Sequence, residues 1–379
     1  MDGTYGVSSA ALVLSVLVLL GAGDTVLGAV LFDEYTTVFS VFINQFTGIC
    51  YGIGAAVALG IRQRRRRKAR SGSIFEEGAH ASADPLLADS KLSSLGGNDA
   101  PTKLAPKWWI LATIGVMNGS GNFLAAIGQP HTPGETQAGL TLIGIPLVMV
   151  MSRVFLGKKV ESWMTALAVA CIFLGSFVTT LPAMLKSDDS NSKESETHWY
   201  SVLFFFFAQF FFGGEKVFEE SVFTSTRCDA LVMFFWTMWV QVVLGFFLLP
   251  LQGLKNLGNL PLSELGETFW QGLRCTMTGH DDANATASVD FPVCTWREPV
   301  TMFAYISVDG IFYLLGLYVI QRGGANLVVL ATALALPLSQ VIFALRGDHF
   351  YWEYGIGLVL SLGGFIVYYR RIQSSMRSE

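Results

Sequence analysis

The chain has 379 residues, 52% of them hydrophobic and 14% charged, with a net charge of −4. A soluble domain carries about 25% charge, so a surface this poor in polar groups is expected to face lipid, and the acidic balance excludes a nucleic-acid partner. Five cysteines without CxxC spacing exclude a dense disulfide scaffold or a cysteine metal site.

A spanning helix needs ~20 mostly apolar residues. Ten such segments are predicted: 9–31, 36–61, 108–129, 134–156, 161–184, 199–218, 229–252, 299–321, 325–346 and 351–370. The first starts near Ser8 with no basic stretch before it, and is expected to be a helix and not a cleaved leader. Residues 1–61 hold spans one and two, 107–184 spans three to five, 185–252 spans six and seven, and 299–372 spans eight to ten, with a tail at 373–379. Residues 62–106 open with Arg62-Gln63-Arg64-Arg65-Arg66-Arg67-Lys68 and are rich in Ser, Ala and Gly, the composition of a disordered basic linker. Residues 253–298 form a second insert, with Cys275, Cys294 and the sequon Asn284-Ala285-Thr286.

Lysine and arginine placement gives the orientation. With the N-terminus in the cytosol, nineteen of the 25 Lys and Arg fall on the cytosolic side and six on the other. Ten spans return the C-terminus to the cytosol and put the sequon and both loop cysteines in the lumen, where glycosylation and oxidation occur. Ile143-Gly144-Ile145-Pro146-Leu147 in span four matches Leu334-Ala335-Leu336-Pro337-Leu338 in span nine, and Trp163 and Trp352 follow at similar distances. The fold class expected is an all-α polytopic membrane protein, its ten transmembrane helices forming two inverted five-helix repeats. Transporters on this plan place substrate between the halves near the midplane.

Four pieces of sequence resemble the chloroquine-resistance-transporter-like family of the drug/metabolite transporter superfamily. They are Thr132-Pro133-Gly134-Glu135-Thr136-Gln137 followed by Ile145-Pro146; Phe155-Leu156-Gly157-Lys158-Lys159; Gln241 nine residues before Pro250; and the cysteine-bearing loop before span eight with Asp309 shortly inside it. The resemblance covers roughly 108–370. It departs from the drug-resistance members in holding two loop cysteines where they hold four, and in the Arg-rich linker. It implies a proton-coupled carrier of small peptides, glutathione-like thiols, amino acids or cationic drugs in a vacuolar or lysosomal membrane.

Ionisable groups inside spans cost ~2.5–3.5 kcal/mol on insertion scales and mark pathways. Asp309, about ten residues into span eight with Ser307 beside it, is the leading candidate for proton and substrate binding. Asp24 in span one is the second; the family's drug-specificity position falls near it. Gln137 and Gln241 are candidate substrate ligands by the resemblance, while Asn44, Asn118 and Asn122 are expected to join helices. Glu215, Lys216, Glu219 and Glu220 are read as a solvated cytosolic helix end, with a cytosolic gate as the alternative. Pro146 and Pro337 are structural bends, Cys275–Cys294 a disulfide closing a loop at ~3 kcal/mol by chain entropy, and Asn284 a lumenal glycan acceptor. No GxSxG, HExxH, P-loop or EF-hand pattern occurs, and the histidines do not cluster, so no enzyme activity, metal or cofactor is expected. The expected partners are a small-molecule substrate, protons and membrane lipids, with the protein a monomer. The rival readings are a nucleotide-sugar or triose-phosphate carrier, which needs cavity-facing Lys or Arg, and a polytopic membrane enzyme, which needs acids or histidines clustered at one interface.

Overall fold

The structure is a computed structural model that describes residues 3–35, 40–80, 106–128, 134–157, 163–186, 199–226, 228–253, 263–279, 294–346 and 352–378. Its described residues are all-helical, with eleven α-helices and no strand. They are α1 (Gly3–Tyr35), α2 (Ser40–His80), α3 (Trp108–Gly128), α4 (Gly134–Leu156), α5 (Trp163–Lys186), α6 (Trp199–Ser225), α7 (Ala230–Leu248), α8 (Leu265–Thr278), α9 (Arg297–Gly323), α10 (Ala325–Arg346) and α11 (Trp352–Ser378). Among the described residues, five stretches are long and apolar enough to cross a membrane: Ala11–Gly28, Phe42–Arg65, Trp108–Gly128, Ala230–Leu251 and Arg297–Gly323. Shorter apolar stretches lie in α4, α5 and α10.

Local chemistry sets the helix ends. Asp229 caps α7, its Oδ1 accepting from the Leu231 N–H at 3.0 Å, and a 3-10 turn containing Pro250 ends the run. Gly157, at φ 66°, stops α4 in a conformation that side chains avoid. Trp108, Trp163 and Trp352 start α3, α5 and α11 and are all exposed, as expected of aromatic rings at a membrane–water boundary.

Two inserts differ from expectation. Residues 62–106 were expected to be linker throughout, but α2 continues to His80. Arg, Lys, Gln and Ala favour helix, and a formed span spares them the cost of nucleation. The rest of the linker, 81–105, lies outside the described residues. The 253–298 loop contains α8, and Cys275 at its end is joined by a disulfide to Cys294, just before α9. The Cys275 end of α8 packs with Leu31, Phe42, Phe46 and Met302. Asn284 lies outside the described residues.

The helices pack in a few extensive pairs: α5 along α11, α3 on α6 and α7, α1 on α9 and α10, α2 on α7, and α4 on α6. Small residues permit the closest of these. A Cβ on Gly175 of α5 would lie 2.6 Å from the Gly357 carbonyl oxygen, and one on Gly364 of α11 would lie 2.6 Å from that of Ala168.

Candidate functional site

Two polar centres interrupt this apolar packing. At the first, Asp309 of α9 accepts a hydrogen bond from the Tyr51 hydroxyl of α2 at 2.7 Å. Gly310 permits the approach: a Cβ there would meet the Tyr51 ring at 2.9 Å. Asp24 of α1 stands within electrostatic reach of Asp309, and Tyr305 of α9 within reach of both carboxylates. α1 approaches α9 through Gly21, Gly23 and Gly28, which face Phe312, Val308 and Tyr305. The Asp24 Oδ1 is buried with no hydrogen-bond partner. Two carboxylates brought from separate helices into one low-dielectric region, with no Lys or Arg among the described residues bonded to either, favour a cation or proton there.

The second centre lies on α6. Glu215 and Glu219 are fully buried and Glu220 nearly so. The Lys216 ammonium is 3.6 Å from Glu215 and 3.3 Å from Glu219, and lies 4.3 Å from the centre of the Tyr313 ring. The Tyr313 hydroxyl is hydrogen-bonded to Glu215 and reaches Glu219 Oε1 at 3.0 Å. Asn118 of α3 donates to Glu215 Oε1 at 2.8 Å, Asn122 donates to Asn118, and Asn44 of α2 donates to the Asn122 carbonyl. Glu220 accepts from the Ala325 N–H at 3.2 Å and fastens α6 to α10.

This corrects the reading of residues 215–220 as a solvated helix end. The signal was present in the sequence, because the apolar pattern runs on past the charges through Val217 and Val222, both buried. A frayed, wet end does not keep an apolar face. Tyr313 could have been found one helical turn after Asp309 on the same face. Tyr51 leaves no such signal.

The other candidates scatter. Gln241 is buried apart from the acids, in a group of amides with Asn44, Gln45 and Asn122. Gly119 and Gly245 floor this group, and the space between is about 10 Å³, room for roughly one water. The buried Gln45 Oε1, which has no partner, is suited to such a water. Ser307 is exposed and bonds back to the Phe303 carbonyl at 2.8 Å. Gln137 belongs to the first turn of α4, with its side chain outside the described residues. Pro337 is buried inside α10, while Pro146 of α4 is exposed. Among the described residues no group of three or more His, Cys, Asp or Glu could hold a metal ion.

Long apolar helices that bury carboxylates in pairs define a membrane protein with polar centres in its interior. Residues 96–368 match the CRT-like, chloroquine-resistance transporter-like family, and the chain belongs to it. The chain is 26% identical over 275 residues to a chloroquine resistance transporter of Toxoplasma gondii, a match covering 68% of this chain and 30% of that protein. It is 23% identical over 257 residues to Crt homolog 1 of Dictyostelium discoideum, covering 62% of this chain and 52% of that one. Crt homolog 3 of the same organism is 22% identical over 260 residues, covering 63% and 52%. The matches thus span between about a third and a half of these relatives' lengths. The family match takes in Asn118, Glu215, Glu219, Asp309 and Tyr313; Asp24 and Tyr51 precede it.

Proposed function

We propose that the chain is a secondary-active, proton-coupled carrier of small organic solutes that works by alternating access. Its substrates would be peptides, glutathione-like thiols, amino acids or cationic drugs. The observation that carries this reading is Asp309, bonded to Tyr51 and facing Asp24 across the α1–α9 contact. A carboxylate so placed exchanges a proton or a substrate cation, and the two occupancies become linked. The name of the Toxoplasma relative, a chloroquine resistance transporter, agrees with transport.

The helix packing supports ten spans in two inverted repeats, with α8 outside the membrane. Numbering the spans α1–α7 and α9–α11, each helix of the first half corresponds to the one five spans later. α1 packs on α9 and α10 as α6 packs on α3 and α4. α10 packs on α11 as α4 packs on α5, while α2 meets its own counterpart α7 and α5 meets α11. These are the relations that a two-fold axis in the membrane plane requires. Both termini are cytosolic in this arrangement, and an acidified vacuolar or lysosomal lumen would supply the protons. Lys216 does not favour a phosphorylated substrate, because Glu215 and Glu219 already take up its charge.

Purified full-length protein in vesicles with an imposed pH gradient tests this with a panel of glutathione, short peptides, basic amino acids and chloroquine. At least one should be taken up faster with the gradient than without it. Uptake of none, in vesicles where the protein is folded, sinks the carrier reading. Uptake indifferent to the gradient sinks the coupling.

A further inference from the structure

The two polar centres are related by the sequence itself. One interval of 191 positions separates Asp24 from Glu215, Asn118 from Asp309, Thr141 from Thr332 and Pro146 from Pro337. The flanks agree: Gly23-Asp24-Thr25-Val26 matches Gly214-Glu215-Lys216-Val217, and Asn118-Gly119 matches Asp309-Gly310. The structure respects the interval. Asp24 on α1 faces Asp309 on α9, and Glu215 on α6 bonds Asn118 on α3. The α6 centre is therefore the second copy of the Asp24–Asp309 centre. It has diverged by gaining Lys216 and Glu219 where the first copy has Thr25 and Gly28.

We infer that Glu215 and Glu219, bridged by Tyr313, form a second proton-binding site that holds one proton between them. This deepens the carrier reading and rests on it for its role in transport. Three observations carry it. First, Tyr313 has a single hydroxyl hydrogen, yet its oxygen is within hydrogen-bond reach of both Glu215 Oε1 and Glu219 Oε1. One O–H cannot fill two O···O contacts; a proton on Glu219 lets Tyr313 accept from it while donating to Glu215. Second, two fully buried carboxylates face one ammonium, leaving one excess negative charge that a proton cancels. Third, Glu215 Oε2 is buried with no partner of its own.

The groups facing the pair are few. α3 presents the neutral amide of Asn118; on α4, the buried Ser152 hydroxyl donates to Asn326 and Arg153 is exposed. α10 presents the Ala325 N–H, taken by Glu220, and α9 presents Tyr313, with Asp309 felt through Lys216. Among the described residues, Lys216 is the only cation that bonds the pair.

Infrared difference spectroscopy of the full chain in lipid nanodiscs, recorded between acidic and alkaline buffer, reads the proton directly as a carboxylic-acid C=O stretch and needs no substrate. Each arm is recorded in a chain that also carries Asp24→Asn and Asp309→Asn, which removes the acids of the first centre, and this chain should still show an acid band at neutral pH. Glu215→Gln or Glu219→Gln should abolish it, since a neutral amide removes the excess charge. Lys216→Met should roughly double it, because two carboxylates without an ammonium need two protons. A band that survives both glutamine variants overturns the inference, as does one that Lys216→Met leaves unchanged. Should a glutamine variant not fold, the Lys216→Met arm decides alone. A protein that titrates this way and moves no solute refutes the carrier reading alone. A working pH-driven carrier without the band refutes this site alone.

Discussion

Adjacent glycines on α11 provide a strict test of the α5–α11 contact, the most extensive among the described residues. Gly364 is buried, and a Cβ there would lie 2.6 Å from the Ala168 carbonyl oxygen, 2.9 Å from Ile172 Cγ1 and 3.1 Å from Cys171 Cβ. A backbone oxygen cannot turn aside as a flexible side chain can, so Gly364→Ala must push the helices apart by several tenths of an ångström. Such overpacking costs about 1–3 kcal/mol. Gly363 is exposed, and a Cβ there meets nothing within 4 Å. Gly363→Ala should gain helix propensity of about 0.8–1 kcal/mol. Gly364→Ala gains the same propensity, so the two variants should differ by the overpacking alone, about 1–3 kcal/mol, with Gly363→Ala the more stable. Equilibrium unfolding in mixed detergent micelles with increasing SDS reads the difference. Equal effects from the two substitutions would mean that α5 and α11 do not touch as described.

Asp309→Asn should insert and fold, because a neutral amide is cheaper in lipid than a charge, and should lose acceleration by a pH gradient; unchanged pH dependence of vesicle uptake would make Asp309 structural. Tyr51→Phe removes a hydrogen bond to a charged group, worth about 1.5–3 kcal/mol, and uptake under a fixed gradient should fall about tenfold or more, with normal rates refuting the link to Asp309. Burial first, and Asp229 second, push the Cys228 thiol up to about 11. Only on the order of one thiolate per thousand exists at pH 8, so maleimide labelling there should be about a hundredfold slower than for a free thiol and should rise with pH; labelling as fast as glutathione's contradicts this. Asp229→Ala should cost about 1 kcal/mol through the lost cap of α7. It should cost little more through the Arg62 pair, which is half exposed, so SDS unfolding of Asp229→Ala and Arg62→Ala should show the first as the larger loss.

Helix positions were legible because lipid imposes a length. Segments expected at 134–156 and 325–346 coincide with α4 and α10, the first of which ends at Gly157. The extension of α2 was not legible, since its Arg run reads equally well as linker or as helix. Asp309 announced itself as a charge in an apolar run. Its partner Tyr51 did not, because a tyrosine costs little in a span and the pairing joins residues 258 apart. The Glu215 centre is not legible from charge density, which reads as the end of a span, whereas Asn118, Tyr313 and Lys216 bond those carboxylates inside the bundle. The interval of 191 was visible throughout, but only the structure tells which of the residues it relates also meet in space.

The proposed two-fold relation is broken most strongly at one pair of contacts, and this points to what moves. α3 packs closely on α7, with Gly119 against Gln241 and Gly115 against Val240, while the corresponding pair, α9 and α2, touches sparingly around Gly310 and Tyr51. In an inverted-repeat carrier the opposite state exchanges the conformations of the halves. α9 should then close on α2 while α3 parts from α7. The interval of 191 pairs Gln241 with Cys50, a native free cysteine that is half-buried here, whereas Gln241 is buried. Cys50 should therefore react with a water-soluble maleimide in the present conformation and lose reactivity when the pH gradient across the vesicle is reversed. In a chain with Cys50→Ser, Cys171→Ser and Cys228→Ser, a thiol introduced by Gln241→Cys should respond oppositely, shielded first and exposed after reversal. Labelling followed by mass spectrometry gives both rates. If both thiols hold their reactivity while the unmodified protein carries solute under either gradient, access does not alternate by exchange of these two contacts.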